Sequence, residues 1–254
     1  MLRAAMASDR LDISIAGVQL TLLAARALLH DGVLYVADVH LGKVAAMSAL
    51  GAPIDPALAG RVAAEDLRAI SELVCKHEAS ALVVLGDLIH NAPGKHAAVL
   101  EAMGAWRSSS TMAGVPITLV RGNHDHKAGD PPDEFGIACV DEPRAGGQLV
   151  LRHTPVFGSA GAGEVGGKGG GKGGGKGGPV TLCGHLHPAV VLGEVRGSAG
   201  RRERCPCFVI SGGQVMLPAF GRFTGCARVR PGLGDRIVIC GAESITEVPL
   251  ALVV

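Results

Sequence analysis

Short continuous apolar runs, each ending abruptly in polar residues, set the pattern of this chain. Residues 33–37, 81–85, 117–120, 149–151 and 180–183 are rich in Val, Leu and Ile, the composition of strands buried on both faces. Between the first two runs, over residues 56–77, the period becomes helical. Leu58, Val62, Ile70, Leu73 and Val74 fall near one face, and Arg61, Glu65, Arg68 and Glu72 near the other. Asp55 and Pro56 supply a cap and a first turn. A second helix is expected over residues 96–107, with Val99, Leu100, Met103 and Trp106 inward. Strands alternating with helices through the first half predict an α/β sheet with right-handed crossovers. Residues 190–195, 208–210, 227–229 and 236–240 read as further short strands, so a second sheet is expected.

After His153 the pattern breaks. Residues 158–178 are almost entirely Gly, Ala and Lys, with Lys168, Lys172 and Lys176 four apart. That composition cannot bury enough apolar surface to order itself and reads as a flexible, solvated insertion between two core strands. The remainder fits one domain spanning residues 1–254, because 48% apolar content supplies ample material for a single core. A net charge of +1 advertises no partner. Seven scattered cysteines, an odd number in a chain too large to need staples, suggest reduced thiols. Arg3, Asp9, Arg10 and Asp12 interrupt any secretory core, and the apolar run at 20–29 is short and broken by Arg26. These features predict a cytoplasmic protein with no membrane segment.

The chemistry lies where the strands end. Asp38 and His40 close the first run, Asp87 the second, Asn123 and His124 the third, His153 the fourth, and His185 and His187 the fifth. Residues two apart at a strand end project to the same side and can share an ion. Gly86, Gly122 and Gly184 precede ligand-type residues and permit tight turns over a sheet edge. Carboxylate and amide oxygens mixed with imidazoles suit borderline divalent ions. Isolated histidines such as His30, His77 and His96 read as ordinary solvated residues. Cys205 and Cys207 lack the second pair of a structural zinc site and read as buried thiols.

In their order these endings, D-x-H, G-D, G-N-H-D, H and G-H-x-H, resemble the calcineurin-like metallophosphoesterase superfamily over about residues 33–188. The resemblance implies an α/β fold of two mixed β-sheets packed face to face and flanked by helices, with a dinuclear metal site at the strand ends. It implies that Asp38, His40 and His187 hold one ion, that Asn123, His153 and His185 hold the other, and that Asp87 bridges them. Two divalent ions are expected, Mn first, with Fe, Zn, Ni or Mg as alternatives. Such a pair clamps both sides of an in-line phosphoryl displacement and lowers the pKa of water from about 15.7 towards 7. By the same resemblance His124 is the general acid or transition-state stabiliser, and Asp125 is expected to orient its imidazole.

The stretches ADVHLGK, GAP, GDLIH, RGNHD, GHLHP, RCPCF and LPAFGRFTG further resemble bacterial ligase-associated DNA-damage-response endonucleases, a group associated with a DNA ligase and a DExH-type helicase. That implies a phosphodiesterase acting on DNA in repair. Lys43 and His90 are candidate substrate contacts. The group's basic residues soon after the lysine are absent from residues 44–50, and Arg196, Arg201, Arg202 and Arg204 form a cluster that could compensate. Aromatics are 3% of residues, which argues against a broad base-stacking platform. A small-nucleotide phosphatase or pyrophosphohydrolase, and a non-catalytic repair scaffold with a vestigial metal site, are the competing functions. Oligomeric state is not encoded in any pattern found.

Overall fold

The first sheet begins with a part of the chain in which the sequence pattern disclosed no strands. A computed structural model describes residues 8–55, 57–157, 178–192 and 204–253. Strands β1 (Arg10–Ile15), β2 (Val18–Leu23), β3 (Ala27–His30) and β4 (Val33–Val36) form an antiparallel meander. Ile13, Ile15, Val18, Leu20 and Leu22 are buried and alternate with more exposed positions. Both residues of the turn Ala16-Gly17 have positive φ, as do both of Asp31-Gly32. That is the geometry of two-residue hairpins. The Asp-Gly dipeptide was therefore a legible signal.

From β4 the sheet becomes parallel through β5 (Ala81–Leu85), β6 (Ile117–Val120) and β7 (Ile137–Val140), giving seven strands in sequential order. The crossovers carry α1 (Lys43–Ala49), α2 (Ala57–Lys76), α3 (Ala97–Arg107) and α4 (Asn123–Ala128). Among the described residues the second sheet has nine strands. They are β8 (Arg144–Gly146), β9 (Leu149–Leu151), β10 (Val180–Cys183), β11 (Pro188–Val191), β12 (Arg204–Ser211), β13 (Gln214–Met216), β14 (Ala227–Arg228), β15 (Arg236–Cys240) and β16 (Ile245–Val248). Strand β10 is parallel to both β9 and β13, and the long β12 pairs antiparallel with β11, β13 and β15. The insertion, apart from Gly178, and Arg196, Arg201 and Arg202 lie outside the described residues.

Strand periodicity sorts the side chains into layers. Leu34, Val36, Leu82, Val84, Ile117 and Leu119 face the helices and pack with Leu67, Ile70, Val99, Met103 and Trp106. Their neighbours Tyr35, Val83, Leu85 and Val120 face the other way, against Leu149, Leu182, Phe208, Ile210 and Val238 of the second sheet. Two mixed sheets thus pack face to face, with helices on the outer face of the first. The outer face of the second is closed by a smaller cluster containing Cys183, Cys207, Val209 and Ile237. Cys205, expected to be buried beside Cys207, is only half-buried. Among the described residues, no helix is long and apolar enough to cross a membrane.

Phe208 is fully buried between the sheets. Phe208→Ala should lower stability by about 3–5 kcal/mol in urea denaturation. A loss under about 1 kcal/mol would contradict a closed inter-sheet core.

Candidate metal centre

Strands β4, β5 and β6 are adjacent and parallel, as are β9 and β10, so all five polar endings emerge at carboxyl ends. The two sheets meet there. Gly184 N–H donates to the His153 carbonyl (3.0 Å), Asp38 N–H to the Gly86 carbonyl (3.1 Å) and His40 N–H to the Asp87 carbonyl (2.8 Å). One link between the sheets is His185 N–H, which donates to Asp38 Oδ2 at 2.8 Å.

The loops are tightly wound. Asp38, His40, Asp87, His185 and His187 all have φ between 48° and 75°, a left-handed conformation that few non-glycine residues adopt and that costs of order 1–3 kcal/mol each. Gly184 has no room for a side chain, since a Cβ there would lie 2.6 Å from Asp38 Oδ2 and 2.7 Å from Ala37 Cβ. A Cβ at Gly86 would overlap the His153 ring, and one at Gly122 would overlap Asp87.

Beside a cluster of His40, His90 and His124, two donor groups gather the expected ligands among the described residues. In one, His187 Nε2 lies 3.3 Å from Asp38 Oδ1 and 3.2 Å from His40 Nε2. In the other, His153 Nε2 lies 3.5 Å from Asp87 Oδ2 and 3.0 Å from both Asn123 Oδ1 and His185 Nδ1. Asp87 Oδ2 is also 3.6 Å from His40 Nε2, so its carboxylate faces both groups. All seven expected ligands are thus brought together. Outer partners fix the rings. His153 Nδ1 donates to the Leu85 carbonyl (3.1 Å) and His187 Nδ1 to the Gly225 carbonyl (3.0 Å), leaving each Nε2 lone pair aimed inward.

The chemistry of this donor set fits divalent ions. Asp38 is fully buried, yet its Oδ1 accepts no hydrogen bond, a costly state for a carboxylate unless a cation serves it. Imidazole nitrogens facing one another at 3.0–3.2 Å cannot all donate. Burial, aided by the charges of His187, His90 and His124, pushes His40 down to about 2, so it stays neutral as a ligand must. Burial likewise lowers His185. Burial works against the charged form of His187 as well, but the Asp38 carboxylate beside it holds that ring above its ordinary value.

The remaining candidates sit around this centre. His124 N–H donates to Asp87 Oδ1 at 2.8 Å, its Nδ1 donates to the His90 carbonyl, and its ring stacks on His90 with centroids 4.5 Å apart. His90 Nδ1 lies 3.0 Å from His40 Nδ1, so it abuts a candidate ligand. Burial pushes His90 down to about 4. Lys43 is the first residue of α1, half-buried beside His40. Asp125 does not orient the His124 imidazole. It is buried, and its carboxylate accepts from the backbone N–H groups of Asp87 (2.7 Å), Gly122 (2.9 Å) and Ile89 (3.1 Å), which satisfies the lone pairs that a ring contact would need. Burial still pushes this carboxyl up to about 6.

Two supports escaped sequence reasoning. Glu142 Oε2 accepts from the N–H groups of His153 (2.7 Å) and Thr154 (2.9 Å), and no local pattern marks it. Residues 217–225 form a strap in which Phe220 N–H donates to the Ala37 carbonyl (2.9 Å) and Gly221 N–H to the Asp38 carbonyl (3.3 Å), while Gly225 holds His187. The LPAFGRFTG motif was visible, but its supporting role was not.

A family model described as calcineurin-like phosphoesterase matches residues 32–187. The chain belongs to the calcineurin-like phosphoesterases. Among solved structures, this phosphoesterase is similar to the Pseudomonas putida nuclease MPE, at 32% identity and a TM-score of 0.70, over 93% of this chain and 100% of that one. It also matches Yfce, a phosphoesterase from E. coli, at 18% identity and a TM-score of 0.36, over 86% of this chain and 98% of that one. A search of curated proteins gives no match. The family is one of divalent-metal-dependent hydrolases of phosphoesters, and the donor groups of this phosphoesterase accord with that chemistry.

Gly184→Ala should lower Mn²⁺ affinity at least about tenfold by calorimetric titration while circular dichroism stays unchanged. Undiminished affinity would show that the loop yields without moving Asp38. A second expectation concerns Asp66, buried on α2, whose carboxyl burial pushes up to about 6 against the opposing influence of Arg222. A raised carboxyl favours the fold fully below its ordinary value, and that contribution is lost as pH rises through about 6. Asp66→Asn should therefore flatten the fall in stability from about pH 4 to 7. An unaltered pH profile of melting temperature would exclude Asp66 as its source.

Proposed function

We propose that this phosphoesterase is a two-metal phosphodiesterase that cleaves DNA. The observation that carries the reading is the convergence of two donor groups on the shared carboxylate of Asp87, in a chain 32% identical to a nuclease across that nuclease's full length. Asp38, His40 and His187 would hold one ion, Asn123, His153 and His185 the other, and Asp87 would bridge them. When bound, the two ions supply a nucleophile from water at neutral pH and offset charge on the phosphoryl oxygens. Mn²⁺ is the first metal proposed, with Fe, Zn, Ni or Mg as alternatives, because a mixed set of carboxylate, amide and imidazole donors admits each of them.

The chain's own residues do the rest. With Nδ1–H donating to the His90 carbonyl, His124 presents Nε2 to the substrate and, in its imidazolium form, can hand the Nε2 proton to the leaving oxygen and return to the neutral ring. Asp125 acts on backbone, fixing the Asp87 and Gly122 loops that carry a ligand and the acid. His90 packs His40 and His124 together. Lys43 carries a cation at a helix N-terminus, where the dipole disfavours it, so a phosphate partner would relieve an unfavourable placement. A cytoplasmic role in DNA repair beside a ligase and a DExH-type helicase follows from the subgroup resemblance and is part of this proposal.

The test is hydrolysis of bis(p-nitrophenyl) phosphate, p-nitrophenyl phosphate, single-stranded DNA and free nucleotides by metal-stripped protein resupplied with Mn²⁺. Diester and DNA cleavage should require metal and vanish in Asp87→Asn, and His124→Ala should slow DNA cleavage by about 10²–10⁴. Preference for the monoester or for free nucleotides would replace this reading with a phosphatase. Inactivity with every divalent ion would leave a scaffold.

A further inference from the structure

Of the seven aromatic residues in the chain, Trp106, Tyr35, Phe135, Phe208 and Phe220 are buried, whereas Phe157 and Phe223 are exposed. Phe223 is 48% exposed and is placed with unusual firmness for a surface side chain. It rides on the 217–225 strap between two anchored residues. On one side Arg222 Nη1 bonds Glu65 Oε2 at 2.8 Å, with its Nε 3.6 Å from the buried carboxylate of Asp66. On the other, the Thr224 hydroxyl and N–H both donate to the Gly221 carbonyl. Gly221 is pressed so closely on the Val39 carbonyl that a Cβ would overlap it. Phe223 borders one small depression with His40, Lys43, Val44, Val62 and the acidic Asp66, which Arg222 faces. Phe223 and Lys43 therefore meet beside His40, and Gly225, two residues beyond Phe223, holds His187.

We propose that Phe223 is a stacking platform for a nucleobase of single-stranded DNA, seated next to the nucleotide whose phosphate enters the metal centre. The inference rests on the DNA-cleaving reading above and adds a recognition residue to it. A polynucleotide offers what this pair can take, with phosphate for Lys43 and a flat apolar ring for Phe223. Every base has such a face, so the contact discriminates base from no base and not one base from another. A single ring on a pinned strap also loses little freedom on binding, since its backbone is already held from both sides. Phe223 would thus act as a specificity-determining residue, favouring a polymer of bases over a bare phosphodiester backbone.

The experiment compares kcat/KM of the Mn²⁺-loaded enzyme on an oligothymidylate and on an abasic tetrahydrofuran oligomer of equal length, for wild type, Phe223→Ala, Phe223→Leu and Phe223→Trp. Stacking predicts that wild type prefers the base-bearing strand by about tenfold or more, carried by KM. The Ala and Leu variants should bring the ratio towards one, and Trp should keep or raise it. A wild-type ratio of one, or an unchanged ratio in Phe223→Ala, overturns the inference and leaves the nuclease reading intact. Full preference in Phe223→Leu overturns stacking in favour of plain apolar contact. Cleavage of bis(p-nitrophenyl) phosphate but of neither oligomer removes the DNA reading itself, and this proposal with it.

Discussion

A buried carboxylate that joins the two sheets is the constraint from which the rest follows. Asp38 ends β4 in the first sheet, and its Oδ2 accepts the N–H of His185 at the end of β10 in the second. Its other oxygen is buried without a hydrogen bond. A charge so placed is tolerable only where cations gather, because desolvation of a lone carboxylate outweighs any single neutral contact. Hence the second sheet must bring a bare-backed turn at Gly184, the ligands beside it must adopt left-handed backbone, and the inter-sheet core must bring the two edges into register. Strain in the loops, the apolar layer beneath them and the cluster of imidazoles above them are consequences of one inter-sheet contact.

Much of this was legible in the chain, unevenly. The strands that carry the site are legible almost to the residue, because runs such as 81–85 and 180–183 are largely apolar and end in glycine followed by a polar residue. The helices over 57–76 and 97–107 followed from periodicity. The meander over 10–30 alternates apolar with polar positions, itself a strand signature, but its first turn, Ala16-Gly17, carries no strong signal, and Arg26, which interrupts the apolar run, is a turn residue at φ 63°. The site was legible as a list of residue types, since imidazoles and carboxylates at strand ends have few other uses.

The supports were not legible. Asp125 follows His124 in sequence, and adjacency suggested a carboxylate steering a ring. The fold instead turns it onto three backbone amides, where it stiffens two loops at once. Glu142 and the Gly225 carbonyl do similar work across 11 and 38 residues of sequence separation. Backbone acceptors and donors carry no residue-type signature, so what steadies a ligand is harder to infer than the ligand itself. The same asymmetry bears on His90, a candidate substrate contact whose ring nitrogen also lies against that of His40.

The strap at residues 217–225 ties separate properties to one piece of backbone. Its amides grip the Ala37-Asp38 turn, its last carbonyl sets the tautomer of His187, and its crest displays Phe223. Ligand geometry and surface chemistry at the opening are therefore mechanically coupled. Variation that shifts the strap's path would disturb the metal centre before it reshaped the surface, whereas variation confined to side chains at its crest would leave the centre alone. In evolution or in design, new surface preferences on this scaffold should accumulate by exchanging the side chain at residue 223, with the anchors Arg222 and Thr224 and the length and course of the strap held constant.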